Sequence, residues 1–93
     1  RSLLESAMTE INELQPRLKK SLAAKDREET HRLAHTIKGA ARAVAATRTK
    51  DAAAAVEQAA SRGDLKRAAE LMPPLCDSIA ALAQEVENAA NGW

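Results

Sequence analysis

His31, His35, Lys38, Gly39 and Arg42 recur at steps that put them on one face of a helix. At about 100° per residue they lie roughly opposite Leu33, Ile37, Ala40 and Val44, which fall within roughly 60° of arc. The apolar four are expected to face a core, and His35 to sit near the centre of an exposed polar stripe. An exposed imidazole, with a reference pKa of about 6.5, is largely neutral at pH 7 and can act as a nucleophile. Lys38, three residues on, brings an ammonium close to anything attached to that ring, where it would offset the charge of a phosphoryl group. Gly39 stands where alanine would favour the helix by about 1 kcal/mol. Its missing side chain, one turn after His35, leaves room for another backbone to approach the imidazole.

Other chemistries find less support. His31 and His35 are four apart and could touch one metal ion, but no third ligand stands out, so neither metal nor cofactor is expected. There is no Ser/His/Asp grouping and no nucleotide-binding loop, which argues against a stand-alone enzyme. A net charge of +1, from 14 basic and 13 acidic residues, lacks the basic excess of a nucleic-acid binder. Trp93 is the only aromatic residue, so base stacking is not expected either. The one cysteine, Cys76, falls on an apolar stripe and reads as a core residue. No run is apolar enough to span a bilayer and no signal peptide is visible, so a cytoplasmic domain without membrane contact is expected. The first residue is Arg1 rather than Met, which suggests a single domain, residues 1–93, cut from a longer chain.

The elements that must position this face are helices, since alanine and leucine dominate and β-branched residues are few. Leu4, Met8, Ile11, Leu14, Leu18 and Leu22 mark a first helix from about Leu3 to Ala24, with a kink or split expected at Pro16. Asp26 with Glu29 forms a capping-box pattern that starts a second helix, from about Arg27 to Ala45. Thr47 or Thr49 is expected to cap a third helix that carries Ala52, Val56 and Ala59 and ends near Ser61. Gly63 supplies a stop and Asp64 the next N-cap. The last helix, from about Leu65 to Ala89, shows Ala68, Met72, Leu75, Ile79, Leu82 and Val86 in a bundle seam, with a bend or break expected at Pro73-Pro74. Asn91-Gly92-Trp93 reads as a loose tail. Amphipathic helices with short connections pack antiparallel, so the expected fold is all-α: an up-and-down antiparallel four-helix bundle.

Ala34-His35-Thr36-Ile37-Lys38-Gly39-Ala40-Ala41 resembles the signature of histidine phosphotransfer (HPt) domains, most like the C-terminal modules of hybrid sensor kinases. The resemblance extends through Ala23-Ala24-Lys25-Asp26, Val56-Glu57 and Arg62-Gly63-Asp64 and covers nearly the whole chain. It implies a phosphocarrier of a multistep two-component phosphorelay, phosphorylated on His35 and serving receiver domains of a sensor kinase or response regulator. Lys38 would stabilise the phosphoryl charge, Gly39 would admit the receiver, and Glu57 would hydrogen-bond Nδ1 of His35. His31, Arg32 and Arg42 would lie on the docking surface. The family carries no metal of its own; Mg²⁺ belongs to the receiver, and the modules are usually monomeric. The chain departs from the family pattern at Ala45, where a glycine is usual, at Thr49, where a leucine is common, and in having no phenylalanine. The competing function is a degenerate docking or dimerisation bundle without phosphorylation.

Overall fold

The computed structural model describes residues 2–91. Helices α1 (Leu3–Ala23), α2 (Arg27–Ala43), α3 (Thr47–Ser61), α4 (Leu65–Glu70) and α5 (Met72–Asn91) follow in order. Helices α4 and α5 together make the fourth arm of an elongated up-and-down bundle, 45 × 20 × 19 Å. Ile11, Leu18, Leu33, Ile37, Val56 and Leu75 are fully buried along its axis. Fully burying one such side chain contributes about 1.5–3 kcal/mol. Alanines at Ala34, Ala41, Ala53, Ala59 and Ala60 are also fully buried, and these short side chains let α2 and α3 pack closely. Among the described residues no buried side-chain nitrogen or oxygen lacks a partner. The buried hydroxyls of Ser21 and Thr30 lie 2.8 Å apart and join α1 to α2.

Asp26 and Asp64 cap α2 and α4 as the sequence predicts, accepting from the backbone N–H of Glu29 and of Arg67. Ser2 does the same for α1 through the N–H of Glu5. At α3 the structure differs. Its N-cap is Ala46, with no side-chain bond, and Thr47 and Thr49 lie inside the helix, Thr49 buried. The reason is the preceding turn. Helix α2 ends at Ala43, two residues short of its expected end, and Ala45 turns the chain with φ of 57°. The N–H groups of Ala45 and Ala46 reach back to the carbonyls of Arg42 and Ala41, a closure that starts α3 at once. Lys25 and Gly63 end α1 and α3 with the same pair of bonds and likewise at positive φ, 56° and 76°.

The prolines act differently from one another. Pro16 does not split α1, which runs unbroken past it. Pro16 and Asn12, whose carbonyl loses its helical donor, are both exposed, so water can satisfy that carbonyl. The last helix does break, and the break falls at Leu71, ahead of the prolines. Neither Pro73 nor Pro74 has an N–H to give to Ala69 or Glu70, so α4 ends there. In the first turn of α5 the same missing donors cost little, because a helix start leaves them unpaired anyway. Cys76 is only partly buried, at the margin of the core. Gly92 and Trp93 of the expected tail lie outside the described residues, and Asn91 closes α5.

Candidate functional site

Helix α2 buries Thr30, Leu33, Ala34, Ile37 and Ala41. Ala40 and Val44, expected in the core, are only partly covered. The buried stripe is rotated toward Ala34 and Ala41 because α3 comes close over those small side chains. That rotation decides how the polar face is presented. His35 lies about 140° round from the stripe's centre and Lys38 about 80°. His35 is accordingly open, its side chain 63% exposed, whereas Lys38 lies along the α2–α3 seam with 19% exposed.

Glu57 of α3 reaches into the same seam. It follows Val56, which is fully buried, so its own side chain sits at the margin of the packed face. Its Oε2 lies 2.7 Å from Nδ1 of His35, its Oε1 lies 2.7 Å from Nζ of Lys38, and Nε2 of His31 stands 3.6 Å from Oε2. One carboxylate thus gathers three basic side chains from α2. Burial alone would raise the Glu57 pKa, but hydrogen bonds and charge from Lys38 and His35 outweigh it and hold the carboxyl below its ordinary value.

An ionised carboxylate only accepts. In the neutral ring Nδ1 of His35 therefore carries the proton and donates a hydrogen bond to Glu57. Nε2 is left with its lone pair, on a side chain open to solvent. This is the arrangement of a nucleophilic imidazole whose tautomer is fixed by its second nitrogen.

The remaining predicted positions divide. A Cβ built on Gly39 meets nothing within 4 Å, so the surface one turn beyond His35 is flat and open. His31 does not simply face solvent, since its ring lies parallel to that of His35, 6.4 Å away. Arg32 is held away from the site by Glu29, at 2.7 and 2.8 Å. Arg42 is exposed beyond Gly39. The structure therefore brings His31, His35, Lys38 and Glu57 together and leaves both arginines outside the cluster. Among the described residues no group of three potential ligands is disposed to hold a metal ion, and no helix is long and apolar enough to cross a membrane.

Sequence reasoning missed Arg27. Its guanidinium donates to the carbonyls of Ala60 and Ser61 and so holds the end of α3 beside α2, one turn from Glu57. A Cβ at Gly63 would lie in ordinary contact with that guanidinium, at 3.4 Å. No local spacing signals a contact between residues so far apart in the chain.

A family model described as "Hpt domain" matches residues 2–92. No curated protein and no solved structure matches the chain. A match over nearly the full length, on an all-α bundle that presents an exposed histidine from its second helix, shows that this chain belongs to the Hpt, or histidine phosphotransfer, domain family.

Proposed function

We propose that this domain carries a phosphoryl group on His35 between receiver domains of a multistep phosphorelay. Membership of the Hpt family supports the carrier role, and one observation supports the site: Glu57 accepts from Nδ1 of His35 and leaves Nε2 unprotonated and exposed. In the proposed step the Nε2 lone pair attacks the phosphorus of a receiver's aspartyl phosphate. The N–P bond forms as the acyl P–O bond breaks, and that electron pair stays on the receiver's carboxylate. His35 keeps its Nδ1 proton, so the phosphorylated ring is a cation stabilised by Glu57. Return of the group to a second receiver reverses these changes. The receiver's Mg²⁺ supplies charge neutralisation on the phosphoryl oxygens.

Lys38 has the charge to stabilise the phosphoryl group, but in the resting site its ammonium is held by Glu57. It reaches the phosphoryl group by giving up that contact, a rotation of one flexible side chain. Gly39 leaves the approach to His35 clear, and Arg42 and Arg32 border the docking surface. The reading extends to a cytoplasmic, monomeric module, and to a C-terminal place in a hybrid sensor kinase. The direction of flow belongs to the partners.

The test is to mix the purified domain with radiolabelled phospho-receivers and follow acid-labile label. The expected result is uptake by the parent protein and none by His35→Gln. If a receiver binds the parent but passes no label to it, the domain is a degenerate docking bundle and the carrier reading is wrong.

A further inference from the structure

We infer that His31 is a positioning residue for the reaction at His35, taking up a proton when His35 is phosphorylated and so compensating the added negative charge. The inference rests on the carrier reading and deepens it.

Nε2 of His31 stands 3.6 Å from Oε2 of Glu57, the same oxygen that accepts from His35. Its ring lies within 11° of parallel to the His35 ring, with centroids 6.4 Å apart. The His31 side chain is 44% exposed, so a proton can reach it from solvent.

Counted from neutral imidazoles, with Lys38 positive and Glu57 negative, the cluster sums to zero before transfer. After transfer the phosphoryl group carries about two negative charges and the His35 ring one positive charge. The cluster has gained one negative charge net. Lys38 is already charged and cannot respond. An imidazole is the side chain that gains a proton most readily near pH 7, and His31 is the other imidazole of the cluster.

The surroundings of His31 agree. From α2, Arg27 and Glu28 border the same shallow cleft, and from α3 come Ala60, Ser61 and Glu57. The Arg27 guanidinium, held by the carbonyls of Ala60 and Ser61, keeps its charge and opposes a cation at His31 before and after transfer alike. Glu28 and Glu57 both favour a cation at His31. The ring charge of phosphorylated His35 opposes it, but the phosphoryl dianion outweighs that charge. Once protonated, Nε2–H of His31 can donate to Oε2 of Glu57 and hold that carboxylate in place while Lys38 turns to the phosphoryl group. Linkage then requires that lower pH favour the phosphorylated module.

One unit charge at the ring separation, in water-like surroundings, changes proton affinity by about three-fold. Two measurements test this. The first is a histidine NMR titration of the domain before and after charging with phosphoramidate, with His35→Gln treated alike. The His31 signals are expected to titrate at higher pH in the charged parent, equivalent to about three-fold tighter proton binding, and to be unmoved in His35→Gln. The second is the transfer equilibrium with a phospho-receiver at pH 6 and pH 8. The parent should favour the charged module at the lower pH by about three-fold more than His31→Gln does, and His31→Lys should restore charging at pH 8. If receivers charge His35 while the His31 titration stays where it was, the inference is overturned and the carrier reading stands. If no receiver charges the domain but the phosphoramidate-treated protein shows the shift, the proton coupling stands and the carrier reading falls.

Discussion

The two faces of α2 use the same helical repeat for opposite ends. On the inner face Leu33, Ala34, Ile37 and Ala41 are fully buried, and what matters there is volume. On the outer face His35 and Gly39 are exposed, and what matters is which atom points where. Stability and chemistry are separated by half a turn of one helix and meet only along the seam where Lys38 touches Glu57. Substitutions on the two faces should therefore fail in different assays.

The largest separation is expected between Ile37→Ala and His35→Gln. Ile37 is fully buried, and removing its side chain should cost about 2–5 kcal/mol in urea unfolding. That is a large share of the stability of a small domain. His35→Gln removes the nucleophile from an open position and keeps a donor for Glu57, so its unfolding midpoint should stay within about 0.5 kcal/mol of the parent while label uptake vanishes. If His35→Gln unfolded as readily as Ile37→Ala, the two faces would not be independent.

The seam is where the separation should blur. Glu57 is held below its ordinary carboxylate value of 4.5 in the folded state. Its contribution to stability is therefore complete above the unfolded value and is lost as pH falls through the lower folded value. Glu29, paired with Arg32, is lowered too and adds acid sensitivity of its own. Comparing Glu57→Gln with the parent cancels that part. Urea midpoints measured from pH 6 down to pH 3 should fall less steeply in Glu57→Gln. Label uptake at pH 7 should also slow, by about ten-fold, because one amide oxygen cannot serve His35 and Lys38 together. Parallel urea curves would show that the seam does not lower the Glu57 carboxyl below its unfolded value.

Much of this was legible before any coordinates. The 3.6-residue repeat revealed the helices, and the Asp26 and Asp64 caps revealed two of their starts, because those signals are local. The outer face of α2 was legible for the same reason. What stayed hidden depends on packing between elements. The rotation of α2 toward Ala34 and Ala41 follows from how near α3 comes, and periodicity carries no trace of that distance. The hold of Arg27 on Ala60 and Ser61, and the contacts of Glu57 with Lys38 and His31 beyond the His35 bond that the family resemblance implied, likewise join residues distant in sequence. Pro16 and Pro73-Pro74 look alike as letters. Only their places, within an exposed helix face or in a helix's first turn, decide what they do.

The turn after α2 offers a smaller test, from the stability side. Ala45 holds φ of 57°, a region that costs a residue with a Cβ about 1–2 kcal/mol. Glycine would remove that strain but would lose about 0.4–1 kcal/mol through greater freedom when unfolded. Ala45→Gly should thus stabilise the domain by roughly 0.5–1 kcal/mol. Transfer should be unchanged, since the turn lies at the end of α2 and outside the cluster around His35. An effect on label uptake would mean that this turn sets the position of the outer face.

Gly39 gives the finest test, because one methyl group should move the two assays in opposite directions. Among the described residues nothing beyond its own helix backbone lies within 4 Å of a Cβ at this position, so packing gives no reason for a glycine. Helix propensity favours alanine by about 0.5–1 kcal/mol, and Gly39→Ala should raise the urea midpoint accordingly. The proposed carrier role supplies a reason for a bare position, a receiver docked one turn from His35. Gly39→Ala should then slow label uptake while stabilising the protein, and the longer side chain of Gly39→Gln should block uptake. If both variants take up label at the parent rate, the open surface beside His35 is not where the receiver sits, and the docking face must be sought elsewhere around α2.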